Sequence, residues 1–355
     1  MNEKIKERLS YFVLIISLVS YYCSSNSNQN SERNIYSLSK IGEIKDNFSN
    51  GDANYFWHID EICSDNENNM YIADSGWNKI FRFSSEGKYL FSFGEEGQGP
   101  GEFLASPRRS PLKVHFGNNS YVYISDQANQ KISVFSKEGG LESQLFISYP
   151  IYDNALVNSK GEIYLFSNNE EKAINYFGND MKIKESFLDI QRLFKYPLYK
   201  PKKRWSASEL IDDIKIKKLI TKRNHLIVIS NISLRVFHFD EKNKLLDDFM
   251  VNNITFLSDF KKRLKKAVAR NSFIAPFNAC LDWDDNICLC YYNSSIDKDE
   301  IYRYKINGDF LDILRFPEKT TRIFCINGSR NLYAAIDNTK IGIYKILKSS
   351  KGGEK

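Results

Sequence analysis

Proline and glycine are scarce in this chain, which has 8 Pro and 18 Gly among 355 residues. That scarcity excludes a collagen-like or linker-rich, low-complexity polypeptide. After the first thirty residues, no apolar run is long enough to span a bilayer. The chain has only 4 His, and no Gly-x-Ser-x-Gly, His-Glu-x-x-His or phosphate-loop pattern occurs. The common signatures of serine hydrolases, zinc proteases and nucleotide-binding proteins are therefore missing.

Aromatic residues are abundant instead, with 25 Phe and 21 Tyr, and side chains of this kind favour β-strands. The length suits either two or three average domains or one large repeat array, so repeats have to be sought first. The 50 Lys and Arg exceed the 44 Asp and Glu by 6 charges. For a chain of this length that excess is mild, and its distribution matters more than its size.

The N-terminal segment has the order of a secretory signal. Lys4, Lys6 and Arg8 precede an apolar run over residues 11–19, and Cys23 then leads into a stretch rich in Ser and Asn. Basic, apolar and polar regions in this order are typical of export. The sequence therefore predicts that residues 1–23 direct the chain out of the cytoplasm.

The single Cys23 directly after the apolar run resembles the lipidation site of bacterial lipoproteins. The resemblance implies that its thiol is acylated and becomes the mature N-terminus, which anchors the protein to a membrane facing the periplasm or the exterior. Tyr22 stands where that family has a small residue. Conventional cleavage with simple secretion, and an uncleaved membrane anchor, remain alternatives.

From residue 54 onward the chain repeats a module of four short strands separated by polar turns. The second strands are the clearest markers, and they fall at residues 70–72, 122–124, 163–165, 226–228, 287–289 and 332–334. Successive markers are 41 to 63 residues apart, in the range of propeller blades with insertions. The pattern predicts an all-β fold, a six-bladed β-propeller.

The two ends of the repeat region complement each other. Residues 320–347 hold only three strands, whereas an unpaired strand-like segment, residues 35–44, precedes the first module. We predict that this N-terminal strand completes the last blade and closes the ring, because closure removes exposed edges. The predicted organisation is an export segment over 1–23, a polar linker over 24–34, the propeller over 35–347 and a disordered tail over 348–355.

The first two modules resemble NHL-type repeats. The resemblance rests on the Gly-rich segment 93–103, on the Tyr-Ile-Ala-Asp element at 71–74 and on the related element at 122–126. It covers residues 54–148 closely and the remainder by period only, and it extends to bacterial extracytoplasmic six-bladed propellers. The family motif includes Asp74 and Asp126. A carboxylate directly after a strand caps the N–H groups of the next turn, and we expect that role for both.

One equivalent position of the modules, seven residues before each second strand, carries sulfur or imidazole side chains four times in six. Its occupants are Cys63, His115, Leu156, Leu219, Cys280 and Cys325. Cys and His are zinc ligands, but residues on adjacent blades at one level are too far apart to share one ion. The two leucines indicate an apolar contact between blades, where Cys behaves as a small hydrophobe. We therefore expect packing, with no metal and no cofactor, and keep the sulfur and imidazole residues as weak metal candidates.

The remaining cysteines bear on disulfides. If Cys23 is acylated, five Cys remain, so at least one is unpaired or pairs between molecules. Cys288 and Cys290 are two residues apart on a predicted strand and point to one face, which suits packing.

An enzymatic alternative comes from the fold. Regucalcin-like lactonases and amidating lyases are six-bladed propellers that arrange carboxylates, Asn or His around a metal at the channel mouth. The resemblance implies a hydrolase or lyase site there, for which His58 and His115 are the candidates on inner strands. Fold alone does not establish activity, and catalytic residues stay unassigned.

Two basic segments interrupt the rhythm, between modules three and four and between four and five. Residues 192–223 hold eleven basic and three acidic residues, a net +8, and residues 259–270 hold six basic and one acidic residue, a net +5. The rest of the chain sums to −7. A short capped helix is predicted over 206–214 and a basic amphipathic helix over 257–268.

Three interpretations of these segments remain open. The helices dock on the propeller rim, or they bind an anionic envelope partner such as a protein, polysaccharide or lipid surface, or they bind nucleic acid. An exported protein rarely meets RNA, which argues against the third. The candidate partner-binding residues are Lys202, Lys203, Arg204, Trp205, Lys261, Lys262, Lys265 and Lys266. The chain is expected to act as a monomeric binding or scaffolding module held at the membrane by its lipid anchor.

Overall fold

The computed structural model describes residues 34–45, 55–107, 110–147, 155–166, 171–178, 182–189, 192, 216–230, 234–251, 277–293, 296–321, 324–326, 328 and 330–346. The architecture below is that of the compact unit formed within residues 36–355, together with Ile35 at the start of its first strand.

Twenty-four strands form the described part of the chain, beginning with β1 (Ile35–Ile44). Blade one consists of β2 (Ile59–Ser64), β3 (Met70–Asp74), β4 (Lys79–Phe83) and β5 (Tyr89–Phe93). Blade two consists of β6 (Leu112–Phe116), β7 (Val122–Asp126), β8 (Lys131–Phe135) and β9 (Leu141–Phe146). Blade three consists of β10 (Leu156–Val157), β11 (Ile163–Phe166), β12 (Lys172–Phe177) and β13 (Ile183–Asp189).

The second half of the chain repeats this arrangement. Blade four consists of β14 (Ile216–Ile220), β15 (Leu226–Ser230), β16 (Arg235–Phe239) and β17 (Leu245–Met250). Blade five consists of β18 (Phe277–Leu281), β19 (Ile287–Asn293), β20 (Lys298–Tyr304) and β21 (Phe310–Arg315). Blade six begins with β22 (Phe324–Ile326), β23 (Leu332–Ala335) and β24 (Ile341–Ile346).

Within each blade the strands pair antiparallel in sequence order, which is the up-and-down order of a propeller blade. Every predicted marker lies in the second strand of its blade. Each inner strand contacts the inner strands of its neighbours, and β22 contacts β2, so the ring is closed. The prediction of an all-β six-bladed propeller is confirmed.

The N-terminal strand closes blade six, as the ends of the repeat region predicted. β1 pairs antiparallel with β24, from Leu38 opposite Ile346 to Ile44 opposite Ile341. Leu38 and Ile44 are buried, with 3% and 6% of their surface exposed. β1 also neighbours β21, so blades five and six share one eight-stranded sheet.

The core is divided into six hydrophobic clusters, and each joins two neighbouring blades. Because a blade is covered on both faces, its second strand is buried without alternation, and all residues of β3, β7 and β15 are buried. The outer strands β5, β9 and β17 are much more exposed.

The Gly-rich segment after β5 packs on blade two. Phe103 is fully buried, and a Cβ at Gly94 would come within 2.2 Å of its ring. Gly94 also has a φ of 88°, a conformation that favours glycine. The buried Lys131 amine donates to the Gly99 carbonyl at 2.9 Å. The segment is therefore anchored to the core by Phe103 and by the Lys131 hydrogen bond.

Candidate functional site

The propeller has two unlike ends. At one end, outer strands connect to the next inner strands and second strands connect to third strands; we call this end the loop face. At the other, the turn face, tight turns join inner to second and third to outer strands. The strands that flank both basic segments, β13 with β14 and β17 with β18, end or begin at the loop face.

Asp74, at the end of β3, organises the loop face of blade one. Its carboxylate accepts backbone N–H groups from Trp57 at 2.7 Å, His58 at 2.9 Å, Gly76 at 2.9 Å and Trp77 at 3.2 Å. Burial raises the pKa of Asp74, and these donors oppose that rise. The carboxylate therefore fixes the loop that enters blade one against the turn that follows β3.

Asp126 does the same in blade two. Its carboxylate accepts the Leu104 N–H at 3.0 Å and the backbone and side-chain N–H groups of Asn129 at 3.2 Å and 2.8 Å. The geometry agrees with the expected capping role of both motif aspartates. Their lone pairs are engaged inside the protein.

A second carboxyl, that of Asp60, lies next to Asp74. Asp60 Oδ2 accepts the Ser75 and Leu112 N–H groups at 2.9 Å and 3.3 Å, and its Oδ1 is 3.7 Å from His58 Nε2. Burial raises the pKa of Asp60 to about 7, and the Ser75 hydrogen bond and the Lys113 charge only partly oppose it. A carboxyl that exchanges its proton near neutral pH beside an imidazole is chemically suited to acid–base work.

Lys113 links the first two inner strands at this level. Its Nζ donates to Glu61 Oε2 at 3.1 Å and approaches the Asp60 carbonyl at 3.5 Å. Both partners are on β2, and Lys113 is on β6. The pair therefore ties blade two to blade one near the axis.

Three aromatic side chains of the loop face form what we call the aromatic cluster: Tyr55, Trp57 and Trp77. The Trp77 ring meets Tyr55 edge-on at 5.2 Å between centroids and Trp57 edge-on at 5.6 Å. Tyr55 and Trp57 keep 45% and 56% of their surface exposed. Exposed rings grouped in this way mark interaction sites rather than core.

A cavity of about 290 Å³ opens beside these rings, at the junction of blades six and one. It is lined by Lys45, Tyr55, Phe56, Trp57, Thr339 and Lys340. Its walls come from both ends of the chain, since β1 ends just before Lys45 and β24 begins just after Lys340. Ring closure alone brings them together.

The equivalent sulfur and imidazole position falls on the inner strands, as expected. Cys63 lies opposite Tyr71, His115 opposite Tyr123 and Cys280 opposite Cys288. Cys63, Cys280 and Cys325 each belong to the hydrophobic cluster that joins their blade to the next. Leu219 occupies the same place between blades four and five.

Burial dominates the electrostatics of these residues. It raises the pKa of the Cys63, Cys280 and Cys325 thiols, which disfavours the thiolate that would bind a metal. It lowers the pKa of His115 to about 4, helped by the Lys218 charge. Within the described residues, no group of three or more His, Cys, Asp or Glu is placed to hold a metal ion.

Cysteines and histidines elsewhere are accounted for by packing. Cys63, Cys280, Cys288, Cys290 and Cys325 form no disulfide within the described part of the chain, and Cys288 and Cys290 pack in one cluster as their spacing predicted. His225 Nδ1 and His238 Nε2 are 2.8 Å apart near the turn face of blade four, away from the axis.

Hydrogen bonds between blades connect the turns of the turn face near the axis. Asn118 Nδ2 of blade two donates to the Thr221 carbonyl at 3.1 Å and to Asn224 Oδ1 at 2.8 Å in blade four. Lys222 Nζ donates to the Trp283 carbonyl of blade five at 2.7 Å. These hydrogen bonds occupy polar groups of the turns at the turn face. The exposed rings of the aromatic cluster and the neighbouring Asp60 and His58 side chains lie at the opposite end, so the loop face is the candidate functional surface.

Comparison with known proteins agrees on architecture. A family model described as a 6-bladed beta-propeller matches residues 51–204. The fold is a six-bladed β-propeller. No curated protein matches the chain. A solved structure from Bacteroides fragilis NCTC 9343, described as an exported protein, is 13% identical, with coverage of 89% of this chain and 100% of its own and a TM-score of 0.56.

Two further structures show how far the likeness extends. A Bacteroides vulgatus ATCC 8482 protein is 10% identical over 88% of this propeller chain and 98% of its own, with a TM-score of 0.55. A virginiamycin B lyase from Staphylococcus aureus is 13% identical over 86% and 99%, with a TM-score of 0.49. Identities this low establish the fold alone, and the lyase likeness carries no functional argument.

Several predicted functional residues lie outside the described residues. They are Cys23 and the eight partner-binding candidates Lys202, Lys203, Arg204, Trp205, Lys261, Lys262, Lys265 and Lys266, together with both predicted helices. No helix in the described part of the chain is long and apolar enough to cross a membrane.

The described strands narrow the first basic segment. Lys217 and Lys218 belong to β14, and Lys222 and Arg223 to the turn after it, so the insertion is confined to residues 190–215 with seven basic and three acidic residues, a net +4. Lys218 is buried and donates to the Tyr164 carbonyl at 2.9 Å. Counting these four residues as part of the insertion overstated the net charge of the insertion. In sequence, a basic residue on an inner strand looks the same as a basic residue in an insertion.

Sequence reasoning missed the aromatic cluster. The consecutive aromatics Tyr55, Phe56 and Trp57 were a usable signal, since three large rings precede a strand that begins only at Ile59. Nothing local distinguished the buried Phe56 from its exposed neighbours.

Proposed function

We propose that this protein is an exported, lipid-anchored, NHL-like propeller that binds an anionic partner of the cell envelope through its loop face. The export part is supported by the basic–apolar–Cys23 pattern of the N-terminal segment. Acylation of Cys23 would hold the propeller close to a membrane surface.

The observation that carries the binding role is the arrangement of charge and exposed rings at one end of the ring. Both basic segments connect strands at the loop face, where Tyr55 and Trp57 are exposed beside Lys45 and Lys340. Positive charge with aromatic rings suits a negatively charged partner. The motif carboxylates there are engaged in capping, which supports binding over chemistry.

The test is capture of envelope components by the full-length protein at rising salt. Reversing Lys202, Lys203 and Arg204 to Glu should abolish partner recovery at low salt, because the interaction is electrostatic. A matched control reverses three exposed turn-face residues, Lys242, Lys244 and Lys305, to Glu. Equal recovery by the wild type and both variants would refute the binding role of the basic segments.

A second function is favoured by one observation, the Asp60 carboxyl with a pKa of about 7 beside His58. This carboxyl would serve as an acid or base in a hydrolase or lyase whose active site lies at the channel mouth. Other propeller enzymes of this class use metal ions. Purified protein assayed for bound divalent metal distinguishes the two. About one tightly bound ion per chain, lost in a His58→Ala variant, would favour the enzyme.

A further inference from the structure

The cavity at the junction of blades six and one has the dimensions of a small-molecule site. Its volume of about 290 Å³ is just below the usual range for ligand pockets, about 300–1,000 Å³. A folded partner would need a far larger surface. The occupant that fits is therefore one or two rings of a small molecule or of a polymer.

The aromatic wall of this cavity is held in place before any ligand arrives. Trp77 Nε1 donates to the Tyr55 carbonyl at 3.0 Å, and Asp74 binds the backbone N–H groups of Trp57 and Trp77. A Cβ at Gly76 would come within 2.5 Å of the Trp57 side chain, so the indole packs directly over the turn. Rings fixed in this way lose little conformational entropy on binding.

The outer face of Trp57 stays in solvent although burying it would be favourable. Pyranose rings are amphipathic: their axial C–H bonds form an apolar patch with partial positive charge, which suits the negative face of an aromatic ring. An exposed, rigid indole beside polar groups therefore matches a sugar better than it matches an aliphatic ligand.

The charged residues that line the cavity are both positive. Lys45 and Lys340 lie at its rim, and Lys340 Nζ is 3.4 Å from Asp337 Oδ2 in an exposed ion pair, of the kind that contributes little to stability. Thr339 adds a hydroxyl, which donates to Asp337. A ligand with a negative charge beside its apolar ring face complements this lining.

We propose that the cavity binds an acidic sugar residue of a polysaccharide, with the sugar ring against Trp57 and its carboxylate toward Lys45 and Lys340. The proposal rests on the proposed function, since it names the chemistry of the anionic partner. It adds a sugar site at the junction of blades six and one to the electrostatic binding by the basic segments.

The probe is trigalacturonic acid, titrated into the full-length protein by calorimetry, with maltotriose as the uncharged trisaccharide. The wild type should bind the acid saturably and bind maltotriose about tenfold more weakly or not at all. Trp57→Ala should weaken acid binding about tenfold or more through loss of ring contact. The control variant is Tyr121→Ala, which removes an exposed ring from the turn between β6 and β7 at the turn face. It should leave binding unchanged.

The double variant Lys45→Gln, Lys340→Gln should bind both trisaccharides with similar, weak affinity, because it keeps the ring and removes the charge. Melting curves of each variant confirm folding. No saturable binding of trigalacturonic acid by the wild type, or undiminished binding by Trp57→Ala, would overturn the proposal.

The variant with Lys202, Lys203 and Arg204 changed to Glu separates the two proposals. Retained trisaccharide binding with lost envelope capture supports the sugar site and the basic segments independently. Lost trisaccharide binding in that variant contradicts the assignment of the sugar to this cavity. Envelope capture by a protein that binds no trisaccharide overturns the sugar site and leaves the proposed function standing.

Discussion

At the scale of single residues, burial decides most of the chemistry of this propeller. Asp60 and His115 are both near the axis, and burial shifts the pKa of each in the direction that favours the neutral form. It raises the pKa of Asp60 and lowers the pKa of His115. The shifts have opposite consequences for pH-dependent stability. A carboxylic acid is neutral at low pH, whereas an imidazole is neutral at high pH.

The Asp60→Asn variant should lose less folding stability than the wild type as pH rises. The pKa of Asp60 is about 7 in the fold against 3.8 for the free carboxyl, so its contribution is fully present below 3.8 and is lost as pH rises through 7. A tenfold change in proton affinity between the folded and unfolded chain corresponds to about 1.4 kcal/mol of stability. Urea midpoints between about pH 4 and pH 8 measure the difference between wild type and variant. A constant difference across this range would show that the pKa of Asp60 is not raised in the fold.

His115→Leu should stabilise the protein, since Leu156 and Leu219 already occupy the equivalent position. His115 Nε2 is buried and has no hydrogen-bond partner within the described residues, and such a group costs about 1–3 kcal/mol. The pKa of His115 is about 4 in the fold against 6.5 when free, so its contribution is present above 6.5 and is lost as pH falls through 4.

The variant should therefore also resist acid better than the wild type. Chemical denaturation at about pH 7 and pH 4.5 tests both effects, and metal analysis of the two proteins provides the control. A bound metal in the wild type that disappears in His115→Leu would contradict the packing role.

At the scale of elements, β1 is the strand on which closure depends. It alternates between buried and exposed positions because one of its faces covers the rim of blade six, unlike the second strands, which are covered on both faces. Its edge pairing with β24 removes an unpaired strand edge.

Leu38→Ala should destabilise the propeller by about 2–5 kcal/mol, the usual cost of truncating a buried leucine. Ile41→Ala is the matched control on the same strand, because Ile41 is 52% exposed and should cost far less. Urea unfolding of both variants measures the difference, and deletion of residues 35–45 should lower the melting temperature further. Equal midpoints for Leu38→Ala and Ile41→Ala would contradict closure by β1.

At the scale of the whole molecule, the closed ring places distant parts of the chain side by side. Lys45 and Lys340 line one cavity only because the first strand and the last three form one blade. The N-terminal strand therefore does two things: it completes the fold, and it supplies part of a surface.

The predicted export segment, residues 1–23, gives a prediction for the intact protein. Mass spectrometry of the mature N-terminus from native membranes should find an acylated Cys23 as the first residue, because the thiol follows the apolar run directly. Cys23→Ser should release the protein from the membrane fraction. An unmodified chain that starts beyond Cys23 would rule out the anchor.

Local patterns were sufficient for the strands because each has a distinct environment. The second strands are mostly apolar and buried throughout, since both their faces are covered, and Asp74 and Asp126 end β3 and β7 as caps. The same reasoning failed at β14, where Lys217 and Lys218 resemble part of a basic insertion. A lysine whose amine donates to a carbonyl of the preceding blade, as Lys218 does to Tyr164, leaves no local trace in the sequence.

The sequence by itself determined the number of blades, the order of strands and the closure by residues 35–44, because strand patterns and missing partners are local or countable properties. Only the tertiary structure decided which rings remain exposed, that Asp60 is buried next to His58, and that a cavity forms between Trp57 and Lys340. Burial and proximity depend on residues far apart in the chain, so they appear only once the ring has closed.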